Sequence, residues 1–131
     1  MLISCIDQNA PGPVADRFAY AFIDADIEKA RSVAVPEQWD RIERLMAGRQ
    51  PFNCRDGDWE TSGLSSVGGH TPNTEEWTYS HLYRCTSQRT PYCLAIDDIV
   101  VRRVEGRWLV HDWGKIREAS SYDYPCGGSN P

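Results

Sequence analysis

The segment Trp77-Thr78-Tyr79-Ser80-His81-Leu82-Tyr83-Arg84-Cys85 sets its aromatic, histidine and cysteine side chains at every second position, with Thr78, Ser80, Leu82 and Arg84 between them. A period of two is the mark of a strand whose two faces meet different surroundings, because successive side chains leave a pleated backbone on opposite sides. A loop containing Pro91 follows, then a long run from Tyr92 to Val104 rich in β-branched residues, the turn Glu105-Gly106, and a last strand predicted over Arg107 to Lys115. These segments form a three-stranded antiparallel meander.

Upstream of the meander the period changes. Val14, Phe18, Ala21, Phe22 and Ala25 recur at spacings of three and four, which predicts a helix that starts at Pro11 and stops near Ser32, ahead of Pro36. Pro36 at a first helical position opens a shorter segment in which Trp39, Ile42 and Leu45 or Met46 share a face, closed by Gly48. Residues 50–63 carry Pro51, Asn53, Gly57 and Gly63 and read as a loop, with a short strand near Leu64 to Val67. The tail beyond Glu118 has no periodicity and is rich in turn formers. The division is therefore a stub over 1–10, a domain over 11–118 and a tail over 119–131.

At 131 residues the chain suits one domain with a core of helices against a sheet. No apolar run approaches the ~20 residues that span a bilayer. The net charge of −5 argues against a phosphate-neutralising surface, so nucleic acid is not an expected partner.

Five cysteines, Cys5, Cys54, Cys85, Cys93 and Cys126, are many for a reduced compartment, and no CxxC pair is present to hold zinc. Disulfides, and with them an extracytoplasmic location, are the expectation. The odd count leaves one thiol over, and Cys5 is the natural candidate. Its context Leu2-Ile3-Ser4-Cys5 matches the end of a bacterial lipoprotein signal, without the basic and apolar parts that precede such an end. Under that reading the protein meets a membrane through a lipid on Cys5; under the plainer one, the segment is an apolar stub.

Two stretches carry a family likeness. Phe18-Ala19-Tyr20-Ala21-Phe22-Ile23-Asp24-Ala25-Asp26-Ile27-Glu28-Lys29-Ala30 looks like an opening helix that runs into an acidic Asp and a second short helix. Gly106-Arg107-Trp108-Leu109-Val110-His111-Asp112-Trp113 looks like a closing strand in which a glycine turn precedes a tryptophan and a valine. Over Ala10 to Glu118 the order of elements resembles the nuclear transport factor 2-like superfamily, of cystatin-like α+β build. Tyr92-Cys93 and Asp97-Asp98-Ile99-Val100-Val101 point toward its bacterial lipoprotein members. The resemblance implies an α+β fold with N-terminal helices on a curved, strongly twisted antiparallel sheet that forms a cone. Function is inherited weakly, since one fold hosts many chemistries.

Regular hairpins would fix the register. Centring the first on Arg89 sets Cys85 opposite Cys93, Tyr83 opposite Ala95, His81 opposite Asp97, Tyr79 opposite Ile99 and Trp77 opposite Val101. The second sets Val110 opposite Val101 and Asp112 opposite Ile99. Directly opposed Cβ atoms lie about 4.5–5.5 Å apart, within reach of a disulfide after adjustment, so Cys85 to Cys93 is the preferred bridge. A bridge from Cys54 to Cys85 or Cys93 is the competitor.

On this face His81, Asp97 and Asp112 would sit inside an aromatic surround, where burial and mutual charge could tune them for acid and base work. The plain alternative is a satisfied polar contact, and one β-bulge in the Tyr92 to Val104 strand would flip the parity. Tyr20, Trp39, Tyr79, His81 and Tyr83 are the candidate lining of a ligand pocket, with Tyr20 and Trp39 at its rim. The spacing of His70, His81 and His111 suits no zinc site, and neither a nucleophile elbow nor a phosphate-cradling glycine loop is present, so no metal or cofactor is expected. Leu82, Val100, Leu109 and Trp113 fall on the opposite face, as a homodimer contact or a surface beneath the tail.

The leading expectation is a non-enzymatic module that binds a small apolar ligand or a protein partner. Its runner-up is a cavity enzyme of the isomerase, dehydratase or cyclase kind that uses His81, Asp97 and Asp112. A purely structural module is the third.

Overall fold

The computed structural model of the chain describes residues 10–54, 59–61, 65–66, 75–85 and 92–119, with the backbone alone in 59–61 and 65–66. The expectations for Cys5, His70, the turn around Arg89, Cys126 and the tail beyond 119 lie outside these residues.

Helix α1 spans Pro11–Asp24. Its prolines stand in the first turn, where the backbone nitrogens have no helical acceptor to lose. Val14, Phe18, Ala21, Phe22 and Ile23 are buried along one stripe. The single helix to Ser32 that the spacing predicts is instead two, as the family likeness of Phe18 to Ala30 implies. Ala25 turns left-handed at φ 53°, and the amide of Asp26 closes the end of α1 on the Ala21 carbonyl at 2.9 Å. Asp26 then caps α2, Ile27–Ser32, by accepting the Lys29 amide at 3.1 Å. Apolar spacing could not show this break, because the stripe continues through it while a capping carboxylate redirects the chain.

A 3-10 turn at Pro36–Gln38 leads into α3, Trp39–Met46. Ile42 and Met46 are buried on the face that was expected to pack, whereas Trp39 and Leu45 stay about 40% exposed.

One open antiparallel sheet holds β1 (Trp59–Thr61), β2 (Ser65–Ser66), β3 (Glu76–Cys85), β4 (Tyr92–Val104), β5 (Arg107–Asp112) and β6 (Ile116–Ala119). Its order is β1-β3-β4-β5; β2 also pairs with β3, and β6 with β4. The two-residue turn Glu105-Gly106 takes positive φ at both positions, 51° and 82°, and closes Val104 on Arg107. This geometry matches the right-handed twist of the strands it joins.

The upper register is as expected, with Trp77 opposite Val101, Tyr79 opposite Ile99 and Val101 opposite Val110. Below it, β4 bulges. Asp98 adopts φ 55°, its amide reaches Ser80 Oγ at 3.1 Å, and the amide of Asp97 pairs with the Lys115 carbonyl at 2.9 Å. One residue of β4 is consumed there, so His81 faces Ile96 rather than Asp97, and Tyr83 faces Leu94 rather than Ala95. Cys85 faces Tyr92, and Cys93 faces Arg84. The expected Cys85–Cys93 bridge is therefore overturned: the slip sends these cysteines to opposite faces, and Cys85 bonds Cys54 instead. Cys93 is disulfide-bonded as well.

The predicted last strand also divides. Residues 113–115 leave the ladder beside the bulge, and Gly114 donates its amide to the Asp97 carbonyl at 2.8 Å. A Cβ at this position would stand 3.1 Å from that same oxygen, which accounts for the glycine. β5 holds one extra residue at His111, where the register shifts between Val100 and Val101, so Asp112 pairs with Val100, not Ile99. Trp113, expected on the far face, turns into the main core and packs on Phe18 with ring centroids 4.9 Å apart.

α1 lies across β3, β4 and β5. Phe18, Phe22, Ile42, Tyr83, Leu94, Ile96, Ile99, Val101 and Val110 are almost fully removed from water in one core. On the other face Cys93 and Ala95 form a small buried cluster with Leu82 and Ala119. The outer edge of β5 is partly closed, since the Val110 amide bonds the Val33 carbonyl at 2.7 Å and the Val35 amide bonds the Val110 carbonyl at 3.0 Å.

Candidate functional site

Two groupings of chemistry-bearing side chains stand out: a buried one between α1 and β3, and an open one between α3 and the β5–β6 connection.

The buried grouping follows from the period of two in β3. Tyr79, His81 and Tyr83 fall on the face covered by α1 and are 6%, 5% and 0% exposed. Tyr20 leans on Tyr83 with ring centroids 4.7 Å apart, and His81 stacks on Tyr83 at 5.3 Å. The carboxylate here is Asp16, one turn before Tyr20 on α1. Tyr83 donates its hydroxyl hydrogen to Asp16 Oδ1 at 2.8 Å, and His81 Nδ1 lies 2.8 Å from the same hydroxyl oxygen.

A phenol has one hydrogen to give, and a carboxylate can only accept. His81 must therefore carry its hydrogen on Nδ1 and donate to Tyr83, which leaves Nε2 as a bare acceptor. That Nε2 is buried and has no hydrogen-bond partner among the described residues. Burial pushes the His81 pKa down to about 4, against the opposing pull of Asp16 3.8 Å away, so the ring is neutral at physiological pH. Tyr83 is driven well above the ordinary tyrosine value, first by burial and then by its bond to Asp16. Tyr20 is raised by burial and by Asp16 and Asp24.

Of the candidate pocket residues, Tyr20, Tyr79, His81 and Tyr83 belong to this region, while Trp39 is held on the helical hairpin. The Trp39 indole donates to the Ala34 carbonyl at 3.2 Å, and the Arg31 guanidinium lies 5.9 Å from its ring. Asp97 and Asp112 do not join His81. Asp97 pairs with Arg117 at 2.9 Å. Asp112 pairs with Arg41 at 2.7 Å, and this bond, with a second from the Trp113 amide, holds its carboxyl below the usual range.

The open grouping is a groove of about 390 Å³ lined by Arg41, Arg44, Leu45, Trp113, Gly114 and Ile116. Arg41 is clamped there: one Nη bonds Asp112, the other bonds the Trp113 carbonyl at 2.9 Å, and the guanidinium sits 3.9 Å above the Trp113 ring. Arg44 is exposed and carries no ion pair among the described residues.

A search of protein-family models finds no match to this chain, and a search of curated proteins finds none.

Sequence reasoning missed Asp16, Arg41 and Arg44. Asp16 had one usable signal, its position a helical turn ahead of Tyr20. The arginines had none, since their groove is completed by residues some 70 positions later in the chain.

Proposed function

We propose that this protein is a non-enzymatic binding module of an extracytoplasmic protein, built as a nuclear transport factor 2-like cone, whose ligand or partner is a small molecule or a protein segment seated in the α3 groove. One observation carries the reading: the buried histidine and the open space are in different places. His81 is buried behind Tyr83 and α1, Asp97 is engaged by Arg117, and Asp112, beside the groove, is engaged by Arg41, whereas the groove has room and no histidine. Clefts with an apolar wall and a few placed polar groups are the usual form of a ligand site.

The superfamily reading is supported by the order of a broken N-terminal helix, a helical hairpin and an antiparallel meander. The two register shifts, one in β4 at Asp97-Asp98 and one in β5 at His111, favour the curvature that a cone requires, because bulges bend and twist a strand. The location is supported by the disulfide-bonded state of Cys54, Cys85 and Cys93.

A second reading, a cavity enzyme, is favoured by the bare Nε2 of His81 alone. In that form Asp16 and Tyr83 replace Asp97 and Asp112 as the groups that orient the base.

The two readings separate in an NMR experiment on the intact, oxidised chain with a mixed library of neutral and charged fragments. The binding-module reading expects amide shifts at Leu45, Gly114 and Ile116. Shifts confined to Tyr20, His81 and Tyr83 would transfer the site to the buried cluster and defeat it.

A further inference from the structure

The groove has a charge pattern that selects among ligands. The chain as a whole is acidic, at −5, yet two guanidinium groups line this groove, and among the described residues Asp112 alone of the carboxylates engages either. Arg41 has one N–H of each terminal nitrogen committed and its plane laid on Trp113, so it is held in place and supplies a fixed positive field. Arg44 is different. Asp40 stands one turn earlier on α3 but makes no ion pair with it, and its forked donors face solvent at the mouth of the groove. Beside it Leu45 is 41% exposed, and Ile116 is half-buried across the gap. A cation next to an unused apolar wall suits a molecule with one anionic end and a short apolar body. A neutral apolar guest would strip water from Arg44 without replacing its hydrogen bonds, whereas a carboxylate or phosphate accepts from the guanidinium in a fork.

We propose that the groove between α3 and the β5–β6 connection binds a small amphiphilic anion, a carboxylate or phosphate monoester on an aryl or short alkyl body, held by Arg44 and packed against Leu45 and Ile116. The proposal rests on the binding-module reading and adds the ligand class to it. Arg41 is a positioning residue, which keeps Trp113 and Asp112 in place and offsets the negative charge of the guest.

The test is an NMR titration of the intact, oxidised chain with 4-phenylbutyrate, phenyl phosphate and the neutral 4-phenylbutyramide. Either acid should shift the amides of Leu45, Gly114 and Ile116 and the Trp113 indole, and the neutral amide should bind about tenfold more weakly or worse. The tighter of the two acids identifies the head group. Arg44→Gln, at an exposed position that leaves the fold intact, should weaken the acids about tenfold and leave the amide unchanged. Arg107→Gln, an exposed cation beside the β4–β5 turn, should change neither. Amide binding as tight as the acids, or acid binding indifferent to Arg44→Gln, overturns the anion assignment while the groove remains a binding site. If neither acid nor amide shifts the groove at millimolar concentration, the ligand class and the module reading fall together.

Discussion

Tyr83 gives its only phenolic hydrogen to Asp16 and so must receive, not donate, at His81. A half-exposed carboxylate on α1 thereby fixes the tautomer of a buried histidine on β3 through one intervening ring. The chain of donors has a single direction, from His81 Nδ1 through Tyr83 to Asp16, and this direction can be tested.

Nitrogen NMR of the His81 ring should show a protonated Nδ1 and a bare Nε2 at neutral pH. Tyr83→Phe removes the acceptor of that hydrogen within the core and should cost about 1–3 kcal/mol in urea denaturation. An Nε2-protonated ring, or a Tyr83→Phe protein as stable as the parent, would reverse the hydrogen-bond assignment.

Stability should also depend on pH through the same ring. The pKa of His81 is pushed down to about 4 by burial, below the ~6.5 of an unfolded histidine. Between these values the unfolded chain holds a proton that the folded chain refuses, so stability falls as pH drops from about 6.5 toward about 4. The gap of about 2.5 pH units, at about 1.4 kcal/mol each, gives about 3–4 kcal/mol. His81→Gln should flatten this part of the pH–stability curve, and an unchanged slope would assign it to other groups.

The Cys54–Cys85 bond closes a loop of 31 residues and joins the segment after α3 to the end of β3. Its removal in Cys54→Ala/Cys85→Ala should lower unfolding stability by about 3–4 kcal/mol, mainly by freeing the unfolded chain. On thiol counting in denaturant, Cys54, Cys85 and Cys93 should react only after reduction. Reaction of all three beforehand would remove the chief support for an oxidising compartment.

Gly114→Ala should destabilise by about 1–3 kcal/mol, because the new methyl meets the Asp97 carbonyl, an atom of backbone that cannot swing aside. The same variant should lose hydrogen-exchange protection at Asp97 and Gly114 ahead of the rest of the sheet. Uniform protection would show that the bulge is held by other contacts.

Arg49 ties three parts of the chain together. Its Nε donates to the Phe22 carbonyl at 3.0 Å, its terminal nitrogens fork onto Glu118 at 2.8 and 2.9 Å, and Tyr92 bonds the same carboxylate. Lysine keeps the charge and loses the fork, so Arg49→Lys should cost about 1–2 kcal/mol. A neutral outcome would reduce the cluster to ordinary surface charge.

Much of the architecture could be read from residue spacing alone. The alternation from Trp77 to Cys85 matches the observed β3, because burial on one face demands a period of two. The Glu105-Gly106 turn is in place because it needs positive φ at successive residues. The reading failed where distant backbone decides. Nothing near Asp98 in sequence fixes where the strand turns left-handed; the Gly114 amide and the Lys115 carbonyl bond the neighbouring Asp97 from across the sheet, and Ser80 Oγ takes the Asp98 amide. That slip of one residue separated His81 from Asp97 and exchanged the expected bridge for its competitor. Asp16 was hidden for a similar reason, since its partner Tyr83 lies 67 positions away.

The thirteen residues of β4 serve two short strands laid end to end, β5 above the bulge and β6 below it. Such a joint works like an expansion gap in a wall. Inside-out parity is reset at Asp97-Asp98, so a change of alignment in the half that carries His81 and Tyr83 need not propagate to the half that carries Val101 and Val110. The buried cluster and the turn region can therefore diverge separately while one continuous backbone holds them together.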